Sequence, residues 1–232
     1  MKISAVHVSF ALIVLGVACA HDLPRNRHDP NAKLQVLLEE WQSTRQGGDT
    51  CVSGGVKYPY VDCGRIQAAI ERLALDFPTH PPILLANAVI AFETRQPEKA
   101  LDYLDAIGHQ AGISSDAAVL RSRIATSQGN LSFAERILEE NVQREPDHAG
   151  LREALASIDY LDGDFEQARR NLRIAERLGA PSWRIAYNRG LIAEAEGHDD
   201  AAIAHYRAAL SERPGWSLAE ARKRGLESER GS

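Results

Sequence analysis

The chain has 232 residues, of which 44% are hydrophobic and 25% are charged, and its formal net charge is -5. A chain of this length and composition can bury a hydrophobic core, which excludes disorder throughout. The net negative charge disfavours nucleic acid as a partner, because binding phosphates requires a basic domain or a clear basic face.

Residues 1–20 predict an export signal. One positive charge, Lys2, precedes a short apolar run that ends in small residues, as in secretory signal peptides. Polar residues interrupt the run, which disfavours a transmembrane helix. The segment Ala18-Cys19-Ala20 fits cleavage after small residues, whereas Leu15-Gly16-Val17-Ala18-Cys19 resembles the bacterial lipobox, in which the cysteine is lipidated.

Three fates of the N-terminus therefore stay open. Lipidation of Cys19 is favoured, and soluble secretion and an uncleaved anchor are the alternatives. Because Ala20, and not an acidic residue, follows Cys19, a lipidated chain is expected at the outer membrane. Residues 21–31 are then expected to form a linker.

Two of the three cysteines, Cys51 and Cys63, keep free thiols whether Cys19 is lipidated or removed with the signal. Exported compartments are oxidising, so we expect a disulfide between these two residues. The closed loop of about 13 residues would contribute about 3 kcal/mol in the chain-entropy model. A metal site is the alternative, and the lack of nearby histidines disfavours it.

Residues 79–214 show a repeat with a period of 34 residues. Apolar residues fall at helical spacing between short breaks, and small residues recur at fixed positions. The recurring residues are the alanines Ala100, Ala134, Ala168 and Ala202, the turn glycines Gly129, Gly163 and Gly197, and the small set Ala88, Ser122, Ala156 and Gly190. Glycine permits a positive φ at a turn, and small residues let paired helices approach closely.

This pattern resembles the tetratricopeptide-repeat family, most clearly in residues 155–168 and 187–197. Arg95 departs from it by replacing the turn glycine in the first unit. The resemblance implies an all-α fold, a right-handed α–α superhelix of about eleven helices. We expect four repeats in residues 79–214, a degenerate helix pair in residues 32–78 with a disulfide-tied loop 46–64, and a capping helix in residues 215–230.

In this family the first helices of the repeats line a concave groove that holds an extended or helical peptide. The groove positions carried over to this chain are Leu85, Val89, Phe92, Val119, Arg123, Thr126, Glu153, Ser157, Tyr160, Arg184, Tyr187, Leu191 and Glu194. The set is apolar near the first repeat and becomes polar, charged and tyrosine-bearing toward the last. Core packing is the alternative for the apolar residues of the first repeat.

Two further features are candidate recognition elements. Tyr58 and Tyr60 flank a proline in loop 46–64, where they would present aromatic anchors to a partner, or the loop would only shield the first helix pair. Arg169, Arg173 and Arg177 lie at four-residue spacing on one helix, where they face either an anionic membrane or glycan, or only solvent.

The sequence contains no His-Glu-x-x-His, Gly-x-Ser-x-Gly or phosphate-binding glycine motif, so no catalytic residue, cofactor or metal is expected. The resemblance implies a non-catalytic protein–protein interaction scaffold or assembly factor. With the export signal, this predicts a periplasmic protein, tethered to the outer membrane by its lipid, whose partner is a peptide segment of an envelope protein. The alternatives are a soluble periplasmic chaperone or adaptor and a regulatory subunit of an envelope enzyme.

Overall fold

The computed structural model describes residues 29–45, 63–111 and 114–229, which form eleven α-helices and no strand. In chain order the helices are α1 (Pro30–Arg45), α2 (Cys63–Asp76), α3 (Pro81–Glu93), α4 (Pro97–Ala111), α5 (Ser115–Ser127), α6 (Leu131–Arg144), α7 (Ala149–Asp162), α8 (Phe165–Arg177), α9 (Ser182–Ala195), α10 (Asp199–Glu212) and α11 (Ser217–Glu229). The predicted all-α fold of about eleven helices is confirmed.

Two helices begin earlier than the sequence predicts. α1 begins at Pro30, inside the expected linker, because proline is preorganised for the first helical position and the Asp29 carboxylate accepts a hydrogen bond from the Asn31 N–H at 2.9 Å. α2 begins at Cys63, so Cys63 and Gly64 belong to a helix and not to the expected loop 46–64. Glycine is most costly in a helix interior, so Gly64 is tolerated in the first turn.

The turn inside each repeat has the same backbone geometry. Gly129, Gly163 and Gly197 have φ angles of 78°, 80° and 74°, and Arg95, which replaces the first glycine, has a φ angle of 62°. In all four turns the N–H of the next residue donates to the carbonyl five residues before it, at 2.8 to 2.9 Å. The 34-residue register therefore persists where the turn glycine is missing.

The described residues form two compact units, 29–124 and 125–229. In the first unit α1 packs on α2, α2 on α3, and α3 on α4, and α1 also contacts α3. The buried Asn87 side chain of α3 donates hydrogen bonds to the carbonyls of Ile70 in α2 (3.1 Å) and Ile83 (2.9 Å). A satisfied buried amide of this kind fixes α2 against α3, so the degenerate helix pair packs on the first repeat.

In the second unit α7 pairs with α8, α9 pairs with α10, and α11 packs on α10. Buried side chains from α7, α8 and α9, among them Ala156, Leu172 and Ile192, form one apolar cluster. α7 also contacts α9 directly. The first helices of successive repeats are therefore neighbours in this unit.

α9 and α10 approach each other closely at Gly190. A Cβ atom at Gly190 would lie 2.5 Å from Cε1 and 2.7 Å from Cδ1 of Tyr206, whose side chain is fully buried in α10. The Tyr206 hydroxyl donates to the Glu194 carboxylate one turn further along α9, and Arg222 Nη1 of α11 donates to the same carboxylate at 2.8 Å. This contact therefore sets the spacing of three helices.

We predict that Gly190→Ala lowers the free energy of unfolding by about 1–3 kcal/mol, because the Tyr206 ring must shift within a packed core. Denaturant titration followed by far-ultraviolet circular dichroism measures the change.

The matched control is Gly225→Ala in α11, where an added Cβ would meet no heavy atom within 4 Å. This change is expected to raise the free energy of unfolding by about 0.5–1 kcal/mol, because alanine loses less backbone entropy in a helix than glycine does. If the two substitutions shift the unfolding midpoint by the same amount in the same direction, the close approach at Gly190 is contradicted.

Candidate functional site

The groove positions expected in the first unit lie on α3 and α5. Leu85 is only 8% exposed and belongs to the core, while Val89, Phe92 and Val119 are partly buried. Arg123 is exposed. Leu85 therefore stabilises the first unit and is not available to a partner.

In the second unit a cavity of about 200 Å³ lies between α7 and α9. Three predicted groove residues line it, Ser157 and Tyr160 from α7 and Leu191 from α9. Leu161 and Asn188 also line it, although the groove positions carried over from the family did not include them. The spacing of these residues on each helix, three or four apart, places them on one face.

The cavity combines apolar surface with polar groups. Leu161 is 51% exposed at its edge, and Tyr160 packs against Phe165 with ring centroids 6.0 Å apart. The Ser157 hydroxyl donates to the Glu153 carbonyl at 3.2 Å, which leaves its oxygen able to accept a hydrogen bond. The Asn188 side chain has donors and an acceptor for a peptide backbone and makes no hydrogen bond to a described residue. An apolar side chain with its flanking main chain is the chemistry that this surface complements.

Two of the predicted groove residues, Glu153 and Arg184, form an ion pair that joins α7 to α9. Arg184 Nε donates to Glu153 Oε1 at 2.6 Å, and the side chains of Arg184 and Glu153 are only 15% and 9% exposed, respectively. Because each charge satisfies the other, the pair fixes the distance between the two helices and presents no unpaired charge to a partner. Removing one member would leave a buried charge without its counterion.

Two more predicted groove residues, Tyr187 and Glu194, contact the C-terminal end of the array. Tyr187 packs on Trp216, just before the capping helix α11, and Glu194 binds Arg222 of α11. The Tyr187 ring lies 5.6 Å from Tyr206 and 4.4 Å from Trp216, measured between ring centroids. Burial is the main cause that raises the pKa of Tyr187 and of Tyr206, and the hydrogen bond to Glu194 raises the pKa of Tyr206 further. Tyr206 therefore remains a protonated donor to Glu194.

An aromatic cluster, which the repeat pattern does not predict, extends this contact. Trp183 and Trp216 pack edge to face with centroids 4.7 Å apart, and the Arg213 guanidinium lies 4.6 Å from the centre of the Trp183 ring. Cation–π and aromatic contacts of this kind stabilise the end of the array. The sequence feature that could have indicated this cluster is Trp216, which follows Pro214 and Gly215 between α10 and α11.

Several predicted sites lie outside the described residues. These are the lipidation site Cys19, the loop residues Tyr58 and Tyr60, and Cys51. Cys63 is the first residue of α2. Because Cys51 lies outside the described residues, the disulfide between the two cysteines stays a prediction. Thr126 belongs to the second unit, at the end of α5, and is partly buried.

Two negative findings apply to the described part of the chain alone. Within it, no group of three or more histidine, cysteine, aspartate and glutamate side chains is arranged to hold a metal ion. None of the helices found there combines the length and the apolarity needed to cross a membrane.

Comparison with known proteins agrees with this geometry. A protein-family model of the tetratricopeptide repeat matches residues 154–215, which contain the α7–α9 cavity. No curated protein has a sequence that matches the chain.

Solved structures share the fold at low sequence identity. A thermophilic tetratricopeptide-repeat protein of Thermus thermophilus superposes with a TM-score of 0.66 and 17% identity, over 85% of this chain and 98% of that one. A tetratricopeptide-repeat protein of Parabacteroides merdae has a TM-score of 0.64 and 16% identity, over 85% and 78% of the two chains. A chain of the APC/C hetero-tetramer Cut9-Hcn1 has a TM-score of 0.64 and 13% identity, over 72% of this chain and 34% of that one. Residues 154–215 are therefore tetratricopeptide repeats, and the described chain shares its fold with solved tetratricopeptide-repeat proteins.

Proposed function

We propose that this protein is a non-catalytic scaffold or assembly factor of the bacterial periplasm, tethered to the outer membrane through Cys19. In this proposal the face formed by α7 and α9 binds a peptide segment of another envelope protein. Tetratricopeptide repeats are a protein–protein interaction fold, which supports the scaffold function in general terms. The α7–α9 cavity is the observation that carries the peptide-binding part.

The chemistry of the cavity supports a peptide with one apolar anchor. An apolar side chain entering between Leu161 and Leu191 would exclude water, and the Tyr160 ring adds an aromatic contact of the kind enriched in binding hot spots. The Asn188 amide and the Ser157 oxygen would hydrogen-bond to the peptide main chain beside that anchor. The Glu153–Arg184 ion pair keeps α7 and α9 in register, so the site is formed before the partner arrives.

The envelope location is supported by the N-terminal sequence. The apolar run that ends at Leu15-Gly16-Val17-Ala18-Cys19 is the part of the chain that resembles a lipoprotein signal. Two cysteines in the mature chain, Cys51 and Cys63, agree with an oxidising compartment.

We predict that a photo-crosslinking amino acid in place of Leu161 captures a protein in intact cells, because the side chain at this position is half exposed at the edge of the cavity. Mass spectrometry of the crosslinked peptides identifies the partner segment, which is expected to come from an envelope protein and to carry an apolar residue at the crosslink.

The matched control is the same amino acid in place of Leu218, which is 56% exposed on α11 and does not line the cavity. Capture from position 218 that equals capture from position 161 would contradict binding at the α7–α9 face. Capture of cytoplasmic proteins from position 161 would contradict the envelope location.

The lipid anchor has its own test. We expect the N-terminal peptide of the mature protein to begin at an acylated Cys19, and Cys19→Ala to move the protein out of the membrane fraction, because acyl chains supply the anchoring energy. Intact-mass measurement of the purified protein reports the modification. A mature N-terminus at His21, or an unprocessed Met1, would contradict lipidation.

A further inference from the structure

A second and larger cavity, of about 420 Å³, lies on a different set of helices in the second unit, between α8, α9 and α10. Its volume falls within the range of about 300–1,000 Å³ that is usual for small-molecule sites. Ile192, Ala193 and Ala201 give it an apolar lining, and Arg169, Arg173 and Arg189 also line it. The α7–α9 cavity has no basic residue in its lining, so the two cavities differ in charge.

Salt bridges hold two of the three arginines in place. Arg169 Nη1 lies 3.0 Å from Glu166 Oε1, and its Nη2 binds Glu196. Arg189 binds Glu176 through both terminal nitrogens, at 3.2 and 2.7 Å. These contacts restrict the rotamers of long side chains and thus lower the entropy cost of binding a ligand.

Arg173 differs from the other two arginines. It is exposed on α8 and makes no hydrogen bond or ion pair with any residue that the structure describes. Its guanidinium therefore keeps all five N–H donors available to a ligand.

Arg173 is the one arginine without an ion pair among the described residues that line the cavity. Among the described residues that line it, Glu196 is the one carboxylate, and Arg169 neutralises it. The hydrogen bond from Arg169 is the largest cause that lowers the pKa of Glu196. Two histidines, His198 and His205, complete the lining. Burial is the main cause that lowers the pKa of His205, and the positive charge of Arg189 lowers it further.

We propose that this cavity binds a small organic oxyanion, a carboxylate or phosphate group carried on an apolar body. The apolar body would pack on Ile192 and Ala201, and the oxyanion would accept hydrogen bonds from Arg173, whose planar fork of donors matches both groups. Arg169 and Arg189 would stay in their ion pairs. This site shares Ile192 with the α7–α9 cavity, and all the other residues that line the two cavities differ.

The test is a nuclear magnetic resonance titration of the full chain that follows the ring signals of His198 and His205. The probes are phenyl phosphate and benzoate, with benzyl alcohol as the neutral counterpart and inorganic phosphate as the anion without an apolar body. At least one of the two organic anions is expected to shift both histidine signals saturably. Benzyl alcohol and inorganic phosphate are expected to bind more weakly by about tenfold or more, because each lacks one half of the interaction.

Arg173→Gln separates a binding role from a structural one. Because Arg173 is exposed and unpaired among the described residues, the variant is expected to keep the histidine spectrum of the unliganded chain. Its Kd for the organic anion is expected to rise by about tenfold, the typical effect of losing a charge-assisted hydrogen bond. The matched control is Arg177→Gln, one turn further along α8 and also exposed, which does not line the cavity and should change Kd by less than about twofold.

Four results would overturn the proposal. They are saturable binding of neither organic anion, benzyl alcohol binding as tightly as the anions, inorganic phosphate binding as tightly as phenyl phosphate, and equal losses of affinity in Arg173→Gln and Arg177→Gln. Peptide binding by α7 and α9 does not depend on any of these results, because it is tested by photo-crosslinking from position 161.

Discussion

The spacing of paired helices in the second unit depends on where a small residue faces a large one. At Gly190 the absence of a Cβ lets the buried Tyr206 ring lie against the α9 backbone. That position aims the Tyr206 hydroxyl at Glu194, which in turn accepts a hydrogen bond from Arg222 of α11. A larger residue at 190 would displace the ring, and with it the donor that connects α10 to the capping helix.

Because Glu194 and Tyr187 are engaged with α10, α11 and Trp216, they are not the part of α9 that faces a partner. The face that remains on α9 is formed by Asn188 and Leu191, next to Leu161 of α7. Ala156, which lies 34 residues before Gly190, is the equivalent small residue of the preceding repeat. It is buried and belongs to the apolar cluster formed by α7, α8 and α9. The close packing of helix pairs thus decides which side chains of the first helices stay accessible.

Charged residues have two different roles in this unit. The Glu153–Arg184 pair is almost entirely buried and fixes α7 against α9. The pairs of Arg169 and Arg189 are more exposed and leave Arg173 as the unpaired arginine at the α8–α10 cavity. A repeat array can therefore carry two chemically different surfaces, one on the first helices and one reached from the second helices.

The sequence predicts the repeat well, because the residues that recur every 34 positions are those that the backbone of the turn and the close helix contact require. The turn glycines have positive φ angles where the 34-residue spacing expects them, and Arg95 adopts the same conformation because the surrounding hydrogen bonds require it. Even the departure from the pattern at residue 95 therefore preserves the predicted register.

The details of the site are less predictable, because they depend on contacts between residues that no local period relates. Glu153 and Arg184 are 31 residues apart in sequence, and Glu194 and Arg222 are 28 apart. Groove positions taken one repeat at a time therefore do not reveal that these charges are paired with each other. Leu85 is buried on α3, a helix that also contacts α1 and α2, which the family positions alone do not reveal. Leu161 becomes accessible at the end of α7, just before the turn at Gly163.

In the function we propose, α7 and α9 together form the surface that contacts a protein partner. Amide hydrogen exchange of the chain alone and in complex with its captured partner tests this surface directly. Slower exchange in the complex is expected for peptides covering the parts of α7 and α9 that line the cavity, with α8 and α10 unchanged. Slower exchange confined to α8 and α10 would contradict it.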